Sequence, residues 1–273
     1  MLYKPDKAEN YRLYVIGKFY SLIVPYFFFL LCDYLYRISW GLDVSWDMLT
    51  DGIKVGAYWF IQVLLVVELI NALLIKLWYK CFVNTMAWGG YLFSILLLAT
   101  LGYIAFMNNV HFPYRLEVVG LASLHYGIGV LFRNYLREWK VKIYWILLFF
   151  ILTFVLSQFL PRLDMNINQF GSFIPNVLLA WLGTLSVMMI SKTIEELNNN
   201  NLAKRFLLWA GQFSIVIMGL SQAINMSLKF TLEMIAIPRL AAVFIQHSLL
   251  WLILIGVSLM LNQYAPLLIG KKK

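Results

Sequence analysis

The sequence predicts an all-α fold, a polytopic membrane helix bundle of about eight transmembrane helices with the N-terminus and the C-terminus both cytoplasmic. Three observations carry this. Apolar residues make up 62% of the 273-residue chain and charged residues only 13%, with a mean hydropathy of +0.77; that is too little polar surface to cover a soluble core of this size. The apolar residues gather into eight long stretches, and the basic residues fall between them in alternating clusters. Aromatic residues reach 17% and include Trp and Tyr as well as Phe, which suits a molecule with two water interfaces where amphipathic rings settle.

Crossing about 30 Å of hydrocarbon takes roughly 20 apolar residues, fewer where flanking side chains snorkel. The candidate stretches cover residues 19–36, 55–77, 87–107, 118–132, 143–160, 173–190, 206–226 and 240–269. The fourth is short and the last is long, so their ends are the softest boundaries. Cytoplasmic loops hold the excess of Lys and Arg. With the N-terminus inside, the inner segments carry Lys4, Lys7, Arg12 and Lys18; Lys76 and Lys80; Arg133, Arg137, Lys140 and Lys142; Lys192, Lys204 and Arg205; and the three terminal lysines. The outer segments keep only Arg37, Lys54, Arg115, Arg162, Lys229 and Arg239. An odd number of helices would break the alternation, so helix count and orientation support one another.

A net charge of +9 distributed in this way is an orientation signal and not a nucleic-acid surface. No cleavable signal peptide is expected, because a charged segment of about eighteen residues precedes the first apolar stretch and no small-residue cleavage site follows it. The topology puts Cys32 near the outer face and Cys81 in a cytoplasmic loop, so no bridge between them is expected. Asp43, Asp47 and Asp51 in the first outer loop need no function, and the Asn198 to Asn201 run reads as a flexible turn. No room is left for a separate soluble domain. No inverted repeat of the kind many secondary transporters carry is visible.

Glu68 is the most conspicuous polar residue, since a carboxyl in the middle of an apolar helix costs several kcal/mol unless it is paired or faces a polar cavity. It either ties helices together or belongs to a site. Gln62 and Asn71 add polar atoms to the same helix, and a polar stripe facing the bundle interior is the expectation. His125, among small residues in the fourth helix, is either a satisfied core imidazole or a general base with a partner elsewhere. His247, beside Gln246 and Ser248, has the same two readings, and His111 in an outer loop reads as solvated. Gly127 and Gly129, like Gly89 and Gly90, read as helix-packing positions. The sequence contains no phosphate-binding glycine loop, no nucleophile elbow and no His/Cys/Asp set with metal spacing.

Three stretches, in order, resemble the acyltransferase 3 family of bacterial inner-membrane O-acyltransferases. Lys18-Phe19-Tyr20-Ser21-Leu22-Ile23-Val24-Pro25-Tyr26 is similar to the family's basic segment running into a Pro-Tyr pair. Tyr58-Trp59-Phe60-Ile61-Gln62-Val63-Leu64 resembles the Trp-Phe-Leu motif opening its next helix. Gly211-Gln212-Phe213-Ser214-Ile215-Val216-Ile217 resembles the Gly-Lys-Asn-Ser-Leu stretch of a late helix. Residues 126–133 add a likeness to a glycine-containing helix that ends at a basic cytoplasmic turn. Together they cover nearly the whole chain.

The resemblance implies a single integral membrane domain over residues 1–273 that lacks the two helices which in the family precede the Pro-Tyr segment. The family's acyl-transfer His and its associated Arg residues belong to that leading region. Ser221 precedes Gln222 where many relatives carry His. The implied activity moves an acyl group, acetyl above all, from cytoplasmic acyl-CoA to a hydroxyl of a cell-surface glycan or glycolipid. Acyl-CoA is then a donor substrate, and no bound cofactor or metal is implied. Glu68 and His125 are the catalytic candidates, Trp59, Gln62 and Ser214 would line the substrate path, and Arg133 and Arg137 would attract the donor's phosphates. Positive-inside anchoring explains those two arginines equally well. The expected surroundings are the lipid bilayer and the glycan acceptor, with no nucleic acid. Two other readings stay open: a transporter or flippase of a lipid-linked glycan, and a non-catalytic membrane partner.

Overall fold

The protein was analysed as a computed structural model, which describes residues 11–42, 44, 58–82, 84–138, 142–161, 164, 171–196, 201–235 and 238–271. Asp43, Asp47, Asp51, Lys140 and Asn198 to Asn200 lie outside the described residues, as does the side chain of Arg137. The described chain is helical: α1 (Tyr11–Lys18), a π-turn (Phe19–Ile23), α2 (Val24–Ser39), α3 (Trp59–Cys81), α4 (Asn84–Met107), α5 (Leu116–Glu138), α6 (Ile143–Ser157), α7 (Phe173–Glu195), α8 (Leu202–Gln212), α9 (Ser214–Glu233) and α10 (Arg239–Tyr264). Short 3-10 turns occupy Pro113–Arg115 and Pro266–Ile269.

Seven helices among the described residues are long and apolar enough to cross a membrane, and α6 is a shorter apolar helix. The chain is therefore a multi-pass helical membrane protein, and its helices match the eight apolar stretches in order. The fifth stretch is shorter than expected. Its helix has 15 residues, about 22 Å at 1.5 Å per residue, because Pro161 disfavours helical geometry in the residue before it. The fourth is longer than its hydropathy suggests, 23 residues in α5. The seventh is displaced: Phe213 leaves helical geometry (φ −108°, ψ 18°) and splits residues 206–226 between α8 and α9, two residues after Gly211, a weak helix former. The last helix stops at Tyr264, ahead of Pro266, which cannot continue it.

The helices fall into two compact units. The first contains Val66–Leu207, the second Arg12–Leu65 with Leu208–Lys273. In the first, α4 and α5 pack most closely. A Cβ on Gly120 would fall on the Leu98 carbonyl, and one on Gly127 would meet the Tyr91 hydroxyl and Ile95. Gly120 thus lets two backbones touch, and Gly127, seven residues on, makes room for α4 side chains, as small residues do between membrane helices. Gly90 similarly lies under the Trp78 indole, whereas Gly89 and Gly129 face open space. The packing expected of both glycine pairs holds for one member of each.

In the second unit, α1, the π-turn and α2 form one helical run, Tyr11–Ser39. The π-turn follows from Pro25, which has no N–H to offer the Ser21 carbonyl one turn back. The run closes with Gly41 at φ +63°, with Gly41 N–H donating to Ile38 O (3.1 Å) and Leu42 N–H to Arg37 O (2.9 Å), a Schellman end. Leu22, Tyr26, Phe29 and Leu30 of this run pack with Tyr58 just ahead of α3 and Ile61 within it, Phe213, Val216 and Leu220 around α9, Leu254 of α10 and Ile269. Gly270, at φ +73°, brings the C-terminal turn so close to the Ser21 carbonyl that no Cβ would fit.

Candidate functional site

The core of the second unit encloses a small polar centre. Gln62 of α3 donates from Nε2 to the Tyr26 hydroxyl of α2 at 2.6 Å. Its Oε1 is buried and meets no donor among the described residues. The Tyr58 hydroxyl donates to the Gly219 carbonyl of α9 at 2.7 Å, at a point where Gly219 lies against the Phe29 ring. Seven residues along α2 from Tyr26, two turns on the same face, Asp33 is 7% exposed and accepts from Arg37 Nε at 2.8 Å. Sequence reasoning counted Arg37 as a loop residue and gave Asp33 no role. The signal was an Asp and an Arg at i, i+4 within an apolar run, a spacing at which opposite charges meet.

Of the expected substrate path, Gln62 lies in this centre. Trp59 is half-buried at the first position of α3, edge-on to Phe60 (6.2 Å between centroids). Ser214 is exposed on the first turn of α9. Lys271, outside the spans, holds its Nζ 4.1 Å from the Phe213 ring centroid and 2.7 Å from Asn262 Oδ1, and burial pushes its ammonium below the ordinary lysine range.

The first unit has a different polar centre. Asn71 is fully buried, donates from Nδ2 to the Val67 carbonyl at 2.8 Å and accepts at Oδ1 from the Tyr91 hydroxyl at 2.6 Å. Glu68, 7% exposed, sits three residues before it. At about 100° per residue these two share a face of α3, whereas Gln62 and Asn71 are about 180° apart. The expected single polar stripe is therefore two sites on opposite faces of one helix. His125 of α5 is half-buried and its Nδ1 accepts from Trp181 Nε1 of α7 at 2.9 Å, which leaves the imidazole proton on Nε2. In this arrangement neither ring nitrogen is a ready base. Arg133 is half-buried near the end of α5, and Arg137 follows one turn later.

His247 is exposed, with Nδ1 2.9 Å from the Val243 carbonyl of its own helix. His111 is not merely solvated as expected: its Nδ1 lies 3.7 Å from Glu117 Oε1, and that carboxylate is buried with Arg115, another pair that sequence reasoning did not join.

Apolar helices long enough to span a bilayer, with two polar centres among them, define a multi-pass membrane protein. No family model matches the chain, and no curated protein or solved structure does either.

Proposed function

We propose that the chain is a membrane-bound O-acyltransferase-like protein of a bacterial inner (plasma) membrane, of the acyltransferase 3 type, moving an acyl group from cytoplasmic acyl-CoA to a hydroxyl of a cell-surface glycan or glycolipid. One observation carries the reading. The three stretches that resemble the family are far apart in sequence yet share one core: Leu22 and Tyr26 from the first, Tyr58 and Ile61 from the second, Phe213 and Val216 from the third. Their meeting in one core supports reading them together as one family-like constellation.

Within that core the buried Gln62 Oε1 is an acceptor awaiting a donor, and an acceptor-substrate hydroxyl supplies one. In the transfer the hydroxyl oxygen forms an ester bond to the thioester carbonyl carbon, the carbon–sulfur bond breaks, and the hydroxyl proton ends on the CoA thiol. Gln62 would orient the hydroxyl, with Tyr26 fixing its amide. Glu68 and His125, the bases named from sequence, belong to the other polar centre, where His125 could act as a base only once the Trp181 hydrogen bond is released. Arg133 and Arg137 would draw the donor's phosphates to the inner end of α5.

The test is labelled acetyl-CoA supplied to vesicles containing the full chain and a glycolipid acceptor. Acetyl label on the glycolipid is the expected result. Glycolipid movement across the bilayer without label would support the flippase reading instead, and neither outcome would leave only a non-catalytic partner.

A further inference from the structure

The bend between α4 and α5 holds a charged cluster that plays no part in the reaction above. Arg115 ends the turn Pro113–Arg115, and its side chain is 3% exposed. Its Nη1 lies 3.4 Å from Glu117 Oε1, long for a charge-assisted contact. Its Nε and Nη2 are buried and meet no acceptor among the described residues. Those two nitrogens form one edge of the planar guanidinium, the edge that grips two oxygens side by side.

Glu117 cannot serve that edge as well. Its Oε2 accepts from the Phe112 N–H at 3.0 Å, and its Oε1 is shared between Arg115 and His111 at 3.4 and 3.7 Å. The carboxylate is fixed to the backbone and holds the guanidinium by its far end. A buried cation with unmade hydrogen bonds is costly, and an oxyanion brought to this edge would offset that cost. Its surroundings indicate which one. Arg115 lies at the end of the span Pro113–Arg133, the level at which lipid phosphates sit. Residues 107–114 leading to it are exposed at every position, with Phe112, Tyr114 and Leu116 presenting apolar surface.

We infer that the Nε–Nη2 edge of Arg115 is an oxyanion site that takes a phosphate group, with Glu117 as the competing counter-charge at the other end of the guanidinium. The phosphate belongs either to a phospholipid headgroup or to free phosphate, which a guanidinium reads alike.

The experiment uses the full chain in dodecyl maltoside and phosphate-free buffer, with the thermal unfolding midpoint followed while dihexanoyl phosphatidylglycerol or inorganic phosphate is titrated in. The midpoint rises with the lipid in the wild type. Arg115→Gln raises the half-saturating concentration by about ten-fold or more, while Lys229→Gln, the same charge change at an exposed residue, leaves it alone. Should Arg115→Gln not fold, Glu117→Gln decides: it keeps the cation, removes a competing negative charge and lowers the half-saturating concentration. A response to the lipid alone assigns a headgroup, and an equal response to phosphate assigns a free anion. No midpoint rise with either, an unaltered response in Arg115→Gln, or an unchanged or weakened one in Glu117→Gln, overturns the site.

Discussion

Two amides on α3, Asn71 in the first unit and Gln62 in the second, are held in opposite ways. Asn71 in the first unit is engaged at both ends, by the Val67 carbonyl and the Tyr91 hydroxyl, beside helices clamped at Gly120 and Gly127. Gln62 in the second is engaged at one end by Tyr26, and its buried oxygen meets nothing. A closed amide between helices is a structural tie. An open one, in a core to which three family-like stretches contribute, is where the proposed reaction would hold its acceptor hydroxyl. The contrast shifts the weight of the site from Glu68, which sequence reasoning favoured, toward Gln62 and Tyr26.

The comparison can be broken at several points. Gly120→Val should have the largest effect, since its side chain would collide with the Leu98 backbone; a loss of about 3 kcal/mol or more is expected, read as a lower unfolding midpoint in detergent. Gly129→Ala, on the same helix but facing open space, should leave the midpoint unchanged or raise it slightly. Asn71→Leu strands the Tyr91 hydroxyl and should cost about 1–2 kcal/mol. Adding Tyr91→Phe should recover part of that, and a double-mutant cycle without coupling would refute the tie. Trp181→Phe removes the donor to His125 and should cost about 0.5–1 kcal/mol. If His125 takes part in proton transfer, the same change should alter the pH profile of acyl transfer by freeing Nδ1.

The presence and order of the helices were legible because burial in lipid writes itself as long apolar runs. Their interruptions were not. Averaged hydropathy counts side chains and is blind to the backbone, so the break at Phe213 and the early end of α6 before Pro161 passed unseen. Asp33 was hidden for the same reason, one acid among apolar neighbours. The tie between Asn71 and Tyr91 spans twenty residues and depends on Gly127 letting α5 approach Tyr91; nothing local announces it. Gln62 was singled out from sequence, but its separation from Asn71 needed only the helical period, which a stripe argument based on proximity in sequence overlooked.

The most direct measurement compares acetyl transfer to glycolipid by the wild type, Gln62→Met and Asn71→Leu, each normalised to folded protein in vesicles. Gln62→Met loses the Tyr26 hydrogen bond but also removes an unmet polar atom while keeping the shape, so it should cost about 1 kcal/mol or less, and it should lose transfer by about ten-fold or more, the worth of an orienting hydrogen bond. Asn71→Leu should be less stable yet transfer normally per folded molecule. Full activity in Gln62→Met, with activity lost in folded Asn71→Leu, would contradict the account and return the site to the Glu68 face of α3.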